Sequence, residues 1–265
     1  MNYKSIFNLL GILLGIFSLS FVPPIILAFV YEESNKEIFL YSFIFFAFLG
    51  ASIWATTRQE HLPLNISDGF IITTLFWVVL ACAGSIPFYF FGLNISDAIF
   101  ESVSGITTTG ATTIVGLDNL PKSILLYRQL LQWIGGMGLI VLAVAVMPAL
   151  GIGGGQLYKM ELPGSHGNQK LTPKITDSAK ALWKIYVGLT LMCAILYLLS
   201  GMNLFDSIAH SLTTVAGGGF STHDESIGFF NSTSVEAVCI IFMLLSAASF
   251  AVHYAAIFGG KPLKY

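Results

Sequence analysis

The alternation of apolar runs with small, hydroxyl-rich breaks divides the chain into two kinds of segment. Six runs, at residues 5–30, 38–57, 69–91, 123–150, 179–200 and 235–258, are long enough to cross a bilayer at about 1.5 Å per residue. Two other segments fit neither a span nor a soluble loop. Residues 92–113 read GLNISDAIFESVSGITTTGATT: a short amphipathic piece at 97–106, then a run of Thr, Gly and Ala. Shifting the chain by 109 residues brings up GMNLFDSIAHSLTTVAGGGFST at 201–222, where Gly92, Asn94, Asp97, Ile99, Ser102 and Gly110 fall on Gly201, Asn203, Asp206, Ile208, Ser211 and Gly219. Both copies lie between apolar helices, so the unit is an internal repeat.

Irregular backbone at membrane depth is tolerated only inside protein or along a wet cavity. A short helix that dips in and a Gly/Thr stretch that returns can aim successive carbonyls at one axis, replacing the hydration shell of a cation. Gly110 and Gly219 suit a backbone whose φ values side chains resist. Asp97 and Asp206 stand near the start of each short helix, where a carboxylate caps free N–H groups and meets the positive end of the dipole. The expected fold is an all-α integral membrane protein with six transmembrane helices and two re-entrant pore helix–filter loops. Its expected divisions are an N-terminal two-helix hairpin at 1–60, a first helix–pore loop–helix repeat at 61–150, a cytoplasmic linker at 151–178 and a second repeat at 179–265.

Composition agrees. Of the 265 residues, 55% are hydrophobic and 10% charged, with a mean hydropathy of +0.79, whereas soluble domains carry roughly 25% charge. Cys82, Cys193 and Cys239 all lie in apolar runs and give neither a disulfide framework nor a metal spacing. Opening residues 5–30 exceed the core of a signal peptide, contain Pro23-Pro24 and lack a cleavage site, so they read as a retained span. Gly135, Gly136 and Gly138 in the fourth run suit close helix contact, or a local break acting as a gate.

Charge sets the orientation. With both termini cytoplasmic and each re-entrant unit returning to its own side, nine basic residues and four acids lie inside, against three basic residues and ten acids outside. Glu101, Asp118, Asp224 and Glu225 then crowd an outer mouth that concentrates cations. His210 aligns with Glu101 and reads as another vestibule residue. An intramembrane enzyme is the rival class, but His210, His223 and His253 lack metal-ligand spacing and no span holds paired carboxylates.

The stretches ESVSGITTTGATT (101–113), RQLLQWIGGMGLIVLAVAVMP (128–148), QLYKMELPG (156–164), LTPKITDSAKALW (171–183) and GGGFSTHDESIGFF (217–230) resemble the bacterial potassium-uptake subunits of the Trk/Ktr/HKT superfamily, the Trk-type membrane subunit most closely. The resemblance implies four helix–pore loop–helix repeats around one ion path, with Gly110 and Gly219 as filter glycines. Thr108, Thr109, Gly217 and Gly218 would add carbonyls that bind the transported ion, K⁺. It implies no cofactor, no enzymatic activity and no nucleic-acid partner. The chain would be multi-pass in the bacterial cytoplasmic (inner) membrane among its lipids. Its loop 151–178 and residues 261–265 are candidate docking surfaces for a cytoplasmic nucleotide-binding regulatory subunit. Only two of the four repeats are present. Truncation of a longer reading frame is the favoured explanation; a homodimer restoring four loops is the other. The alternative to a conducting subunit is a non-conducting remnant or scaffold.

Overall fold

A computed structural model describes residues 3–58, 66–146, 174–248 and 253. Among them every regular element is helical. Helix α1 (Tyr3–Ser18) passes through a single 3₁₀ turn, Leu19–Phe21, into α2 (Val22–Val30). Pro23 lies in the first turn of α2, where its missing N–H leaves no intrahelical bond unmade. The proline pair therefore redirects the first span without ending it. Helix α3 (Lys36–Thr57) returns against α1. Their crossing is close because both faces carry glycine: a Cβ on Gly50 would lie 2.7 Å from the Gly11 carbonyl oxygen, and one on Gly11 2.9 Å from that of Gly50.

The two repeats follow. The first comprises α4 (Ile66–Phe91), α5 (Ile95–Ile106) and α6 (Lys122–Val146). The second comprises α7 (Lys174–Leu199), α8 (Leu204–Ala216) and α9 (Thr233–Ala247). Helix α7 begins within the segment expected as linker; residues 151–173, most of that linker, lie outside the described residues, as do 147–150 of the fourth expected span. So do residues 249–252 and 254–258 of the sixth expected span.

Four helices are long and apolar enough to cross a membrane among the described residues: Tyr3–Val30, Lys36–Thr57, Ser67–Phe91 and Leu182–Leu199; Thr233–Ala247 is a shorter apolar helix. Helices α5 and α8, at 12 and 13 residues, reach only about 18–20 Å and cannot span a hydrocarbon layer of about 30 Å.

One buried cluster joins the hairpin to the first repeat through Phe21, Phe39, Phe88 and Tyr127. The Tyr127 ring lies 5.2–5.6 Å from the other three ring centres. The other main cluster gathers Met137, Tyr186, Cys193, Tyr197, Val215 and Phe242. Helix α6 contributes to both, Leu131 to the first and Met137 to the second. Polar contacts fix the hairpin at the start of α6: Asn35 Nδ2 donates to Ser123 Oγ at 2.8 Å, and Glu33 accepts from the Ser123 N–H and hydroxyl. Outward-facing Phe48, Phe90, Leu199 and Leu244 are exposed, a pattern suited to acyl chains rather than water.

Candidate functional site: two converging loops

Both short helices start alike. Asn94 caps α5 and Asn203 caps α8, each accepting at 2.9 Å from the backbone N–H three residues on, Asp97 or Asp206. Each Asn amide donates in return to the Asp carboxylate, at 2.5 and 2.6 Å. The caps expected at Asp97 and Asp206 thus belong to the asparagines. An N-cap must keep an extended backbone while its side chain turns back on the first turn; Asn94 and Asn203 do so, with ψ of 161° and 165°. The aspartates occupy the third helical position, near the positive end of the dipole.

Each helix also ends alike. The N–H of Thr109 donates to Ser104 O at 2.9 Å, and that of Gly218 to Thr213 O at 3.0 Å. Left-handed residues recur at matching columns: Thr108 (φ +55°) with Gly217 (φ +68°), and Gly110 (φ +78°) with Gly219 (φ +83°). The repeat therefore extends from letters to backbone geometry.

The two loops meet. A Cβ on Gly110 would lie 2.0 Å from the Gly218 carbonyl oxygen and 3.7 Å from Gly219 Cα. Only a residue without a side chain permits that approach. Thr109 and Gly219 are exposed, Thr108 and Gly110 half-buried, and Gly218 buried.

Behind the loops stands α6. Gly135 receives the end of α5, a Cβ there falling 2.0 Å from Ile106 O, and Gly136 receives the end of α8 at Ala216, 3.2 Å away. These glycines act as contact points within an unbroken helix, where a gate-like break was the other expectation. One turn earlier, Gln132 Oε1 accepts from the Phe220 N–H at 3.0 Å and from the Thr213 hydroxyl. Arg128, fully buried, donates from Nε to Glu101 Oε2 at 3.3 Å, from Nη1 to Ser221 O at 3.1 Å and from Nη2 to Thr112 Oγ1 at 3.0 Å. Its guanidinium lies 4.2 Å from the centre of the Phe220 ring.

Glu101 is therefore no mouth residue. Its side chain is 0% exposed, and Oε1 accepts from the Thr113 N–H at 2.7 Å and from the Thr112 hydroxyl. A carboxylate can remain there because a cation and several donors face it. His210, expected in the vestibule, is likewise buried: Nε2 lies 2.9 Å from Ser221 Oγ and Nδ1 2.9 Å from Asp206 O. Glu101 with Thr112 and His210 with Ser221 are matching pairs 109 residues apart. The column alignment anticipated their equivalence, and burial changes its meaning from attraction of ions to support of the loop.

Charges expected at the mouth do occur on the segments that follow each loop. Asp224 Oδ1 accepts from the N–H groups of Gly116 and Leu117, at 3.0 and 3.1 Å. His223 bonds Asp118 on one side and Asp206 on the other, and stacks on Phe229 with ring centres 3.5 Å apart. Its hydrogen bond is the main reason the Asp118 carboxyl titrates below the ordinary range. Among the described residues no group of three or more His, Cys, Asp or Glu side chains is placed to hold a metal.

Arg128 and Gln132 were not singled out as site residues from the sequence, although a signal existed. Arg128, Gln129 and Gln132 interrupt an otherwise apolar helix, and an ionisable residue inside a span marks a functional site with a partner to be found.

Known proteins place this architecture. Residues 34–261 match a family described as TrkH, cation transport protein. The Trk system potassium uptake protein TrkH of Vibrio parahaemolyticus is 49% identical over 269 residues, covering 100% of this chain and 56% of that protein. Its counterpart in Escherichia coli is 46% identical, with 100% and 55% covered, and the E. coli protein TrkG 45%, with 97% and 53% covered. The crystal structure of the potassium transporter TrkH from Vibrio parahaemolyticus superposes with a TM-score of 0.85 at 45% identity, covering 100% of this chain and 54% of that one. This chain thus spans about half the length of the relatives it matches. It belongs to the TrkH family of cation transport proteins.

Proposed function

We propose that this chain contributes two filter loops to a potassium-uptake pore, coordinating dehydrated K⁺ through backbone carbonyls of Thr108, Thr109, Gly110, Gly217, Gly218 and Gly219. The observation that carries this reading is the contact between Gly110 and Gly218–Gly219, which brings two repeats' carbonyl-bearing bends together. Carbonyl dipoles replace hydration water only when several converge on one point. Two loops make half of such a ring. The remainder comes from further repeats of the Trk type or from a second copy.

In this reading six spans and two re-entrant helices lie in the bacterial inner membrane with both termini cytoplasmic, the divisions falling at 1–60, 61–150, 151–178 and 179–265. A nucleotide-binding regulatory subunit docks on the cytoplasmic side. No chemistry beyond ion coordination is required. Rubidium uptake by cells lacking potassium import tests the proposal. Expression together with the repeats that complete the ring should restore uptake; normal membrane insertion without uptake would identify a non-conducting scaffold.

A further inference from the structure

We infer that Arg128 is a positioning residue for the ion filter: its guanidinium sets the spacing of the two loops by gripping matching points of both repeats. The inference rests on the proposed pore. Thr112 follows Gly110 by two residues and Ser221 follows Gly219 by two, and the pair falls in one column of the 109-residue repeat. One terminal nitrogen donates to Thr112 Oγ1 at 3.0 Å and the other to Ser221 O at 3.1 Å. A planar, rigid fork holds two acceptors at a fixed separation. Because the two acceptors, a side-chain hydroxyl and a main-chain carbonyl, belong to residues of one repeat column, the fork sets the height of one loop against the other.

The arrangement is not duplicated. Helix α9, the counterpart of α6 in the second repeat, carries no Arg or Lys between Thr233 and Ala247, so the strut runs from the first repeat to the second and has no mirror image there. Glu101 serves as its counter-ion and fixes the first loop a second time through the Thr113 N–H. Phe220 covers the face of the guanidinium. Arg128 and Glu101 are both fully buried, so water does not compete for these donors. A packing role alone would need only the cation and its carboxylate; the bridge needs the fork.

Arg128→Lys separates the two roles, because an ammonium can face Glu101 but cannot hold Thr112 Oγ1 and Ser221 O together in the guanidinium plane. The chain is expressed together with the repeats that complete the ring, in cells without other potassium import, and Rb⁺ uptake is compared with Na⁺ uptake. Normal membrane levels are expected, with the Rb⁺/Na⁺ ratio lowered about tenfold. Thr112→Val removes one arm and leaves the ion pair, and a severalfold fall is expected; it carries the test if Arg128→Lys fails to insert. An unchanged ratio in a well-inserted variant overturns the inference. If the unsubstituted chain takes up no Rb⁺ even with the repeats that complete the ring, the pore reading itself has failed. The strut is then judged by cross-linking Val115→Cys to Glu225→Cys, with the native cysteines replaced by alanine. Arg128→Lys should slow that cross-link at least threefold, and equal rates overturn the inference.

Discussion

At Gly110 two demands coincide: a left-handed φ of +78° and a carbonyl oxygen 2.0 Å from where a Cβ would stand. Left-handed backbone alone costs a side-chain-bearing residue about 1–2 kcal/mol, and the steric conflict is with backbone that cannot rotate away. Gly110→Ser should therefore push the loops apart and reduce the Rb⁺/Na⁺ uptake ratio. Gly217, also left-handed, has open space around its Cβ position, so Gly217→Ala should lose about 1–2 kcal/mol of stability with a smaller change in that ratio. Parallel uptake measurements on the two variants check the contrast. Helix capping is the other residue-scale determinant. Asn94→Ala removes the group that accepts the Asp97 N–H and should cost about 1 kcal/mol, read as a lower melting temperature of the purified protein in detergent. Asp97→Asn retains that N–H donor and should cost less.

Among the elements, α6 is the one that touches the ends of both short helices. A methyl on Gly135 would strike the Ile106 carbonyl, and closely packed helices tolerate such growth poorly, typically losing about 1–3 kcal/mol. Gly135→Ala should lower both the yield of inserted protein and its thermal stability, as followed by fluorescence-detected size exclusion on heating. This helix also shows where sequence reading stops. Apolar run length located α1 through α4 to within a few residues, since hydrophobic extent and breaks in it are local properties. The repeat identified both short helices and the glycines, because duplication preserves columns. What the helices touch is a property of three-dimensional packing. Glu101 carries a charge and sits beside a loop, so its sequence reads as a mouth residue; only the approach of Arg128 from 27 positions away allows it to be buried. The caps were misplaced by three residues for a related reason: Asn and Asp both suit a helix start, and the choice depends on where the backbone becomes extended.

Over the whole molecule, as far as the described residues go, the repeats are joined where the loops meet and on both sides of that contact, through α6 behind the loops and through Asp118, His223 and Asp224 in front of them. The frontal link is the weaker, because Asp118 is substantially exposed and surface pairs contribute little. Its acid response follows from the lowered carboxyl pKa. A depressed carboxylate contributes stability that is present above its unfolded pKa and lost as pH falls through the folded value. The link should hold above the ordinary carboxyl value of 3.8 and open only as pH falls below it. Hydrogen exchange in residues 223–231, corrected for intrinsic rates, should show protection falling over that interval, and Asp118→Asn should abolish the change.

The adjacent glycines of α6 have a mechanical consequence. Two loops resting on neighbouring rungs of one rod share its every tilt and translation. In the pore proposed above, thinning or thickening of the surrounding lipid would move them in concert, and the gap offered to an ion would keep its width.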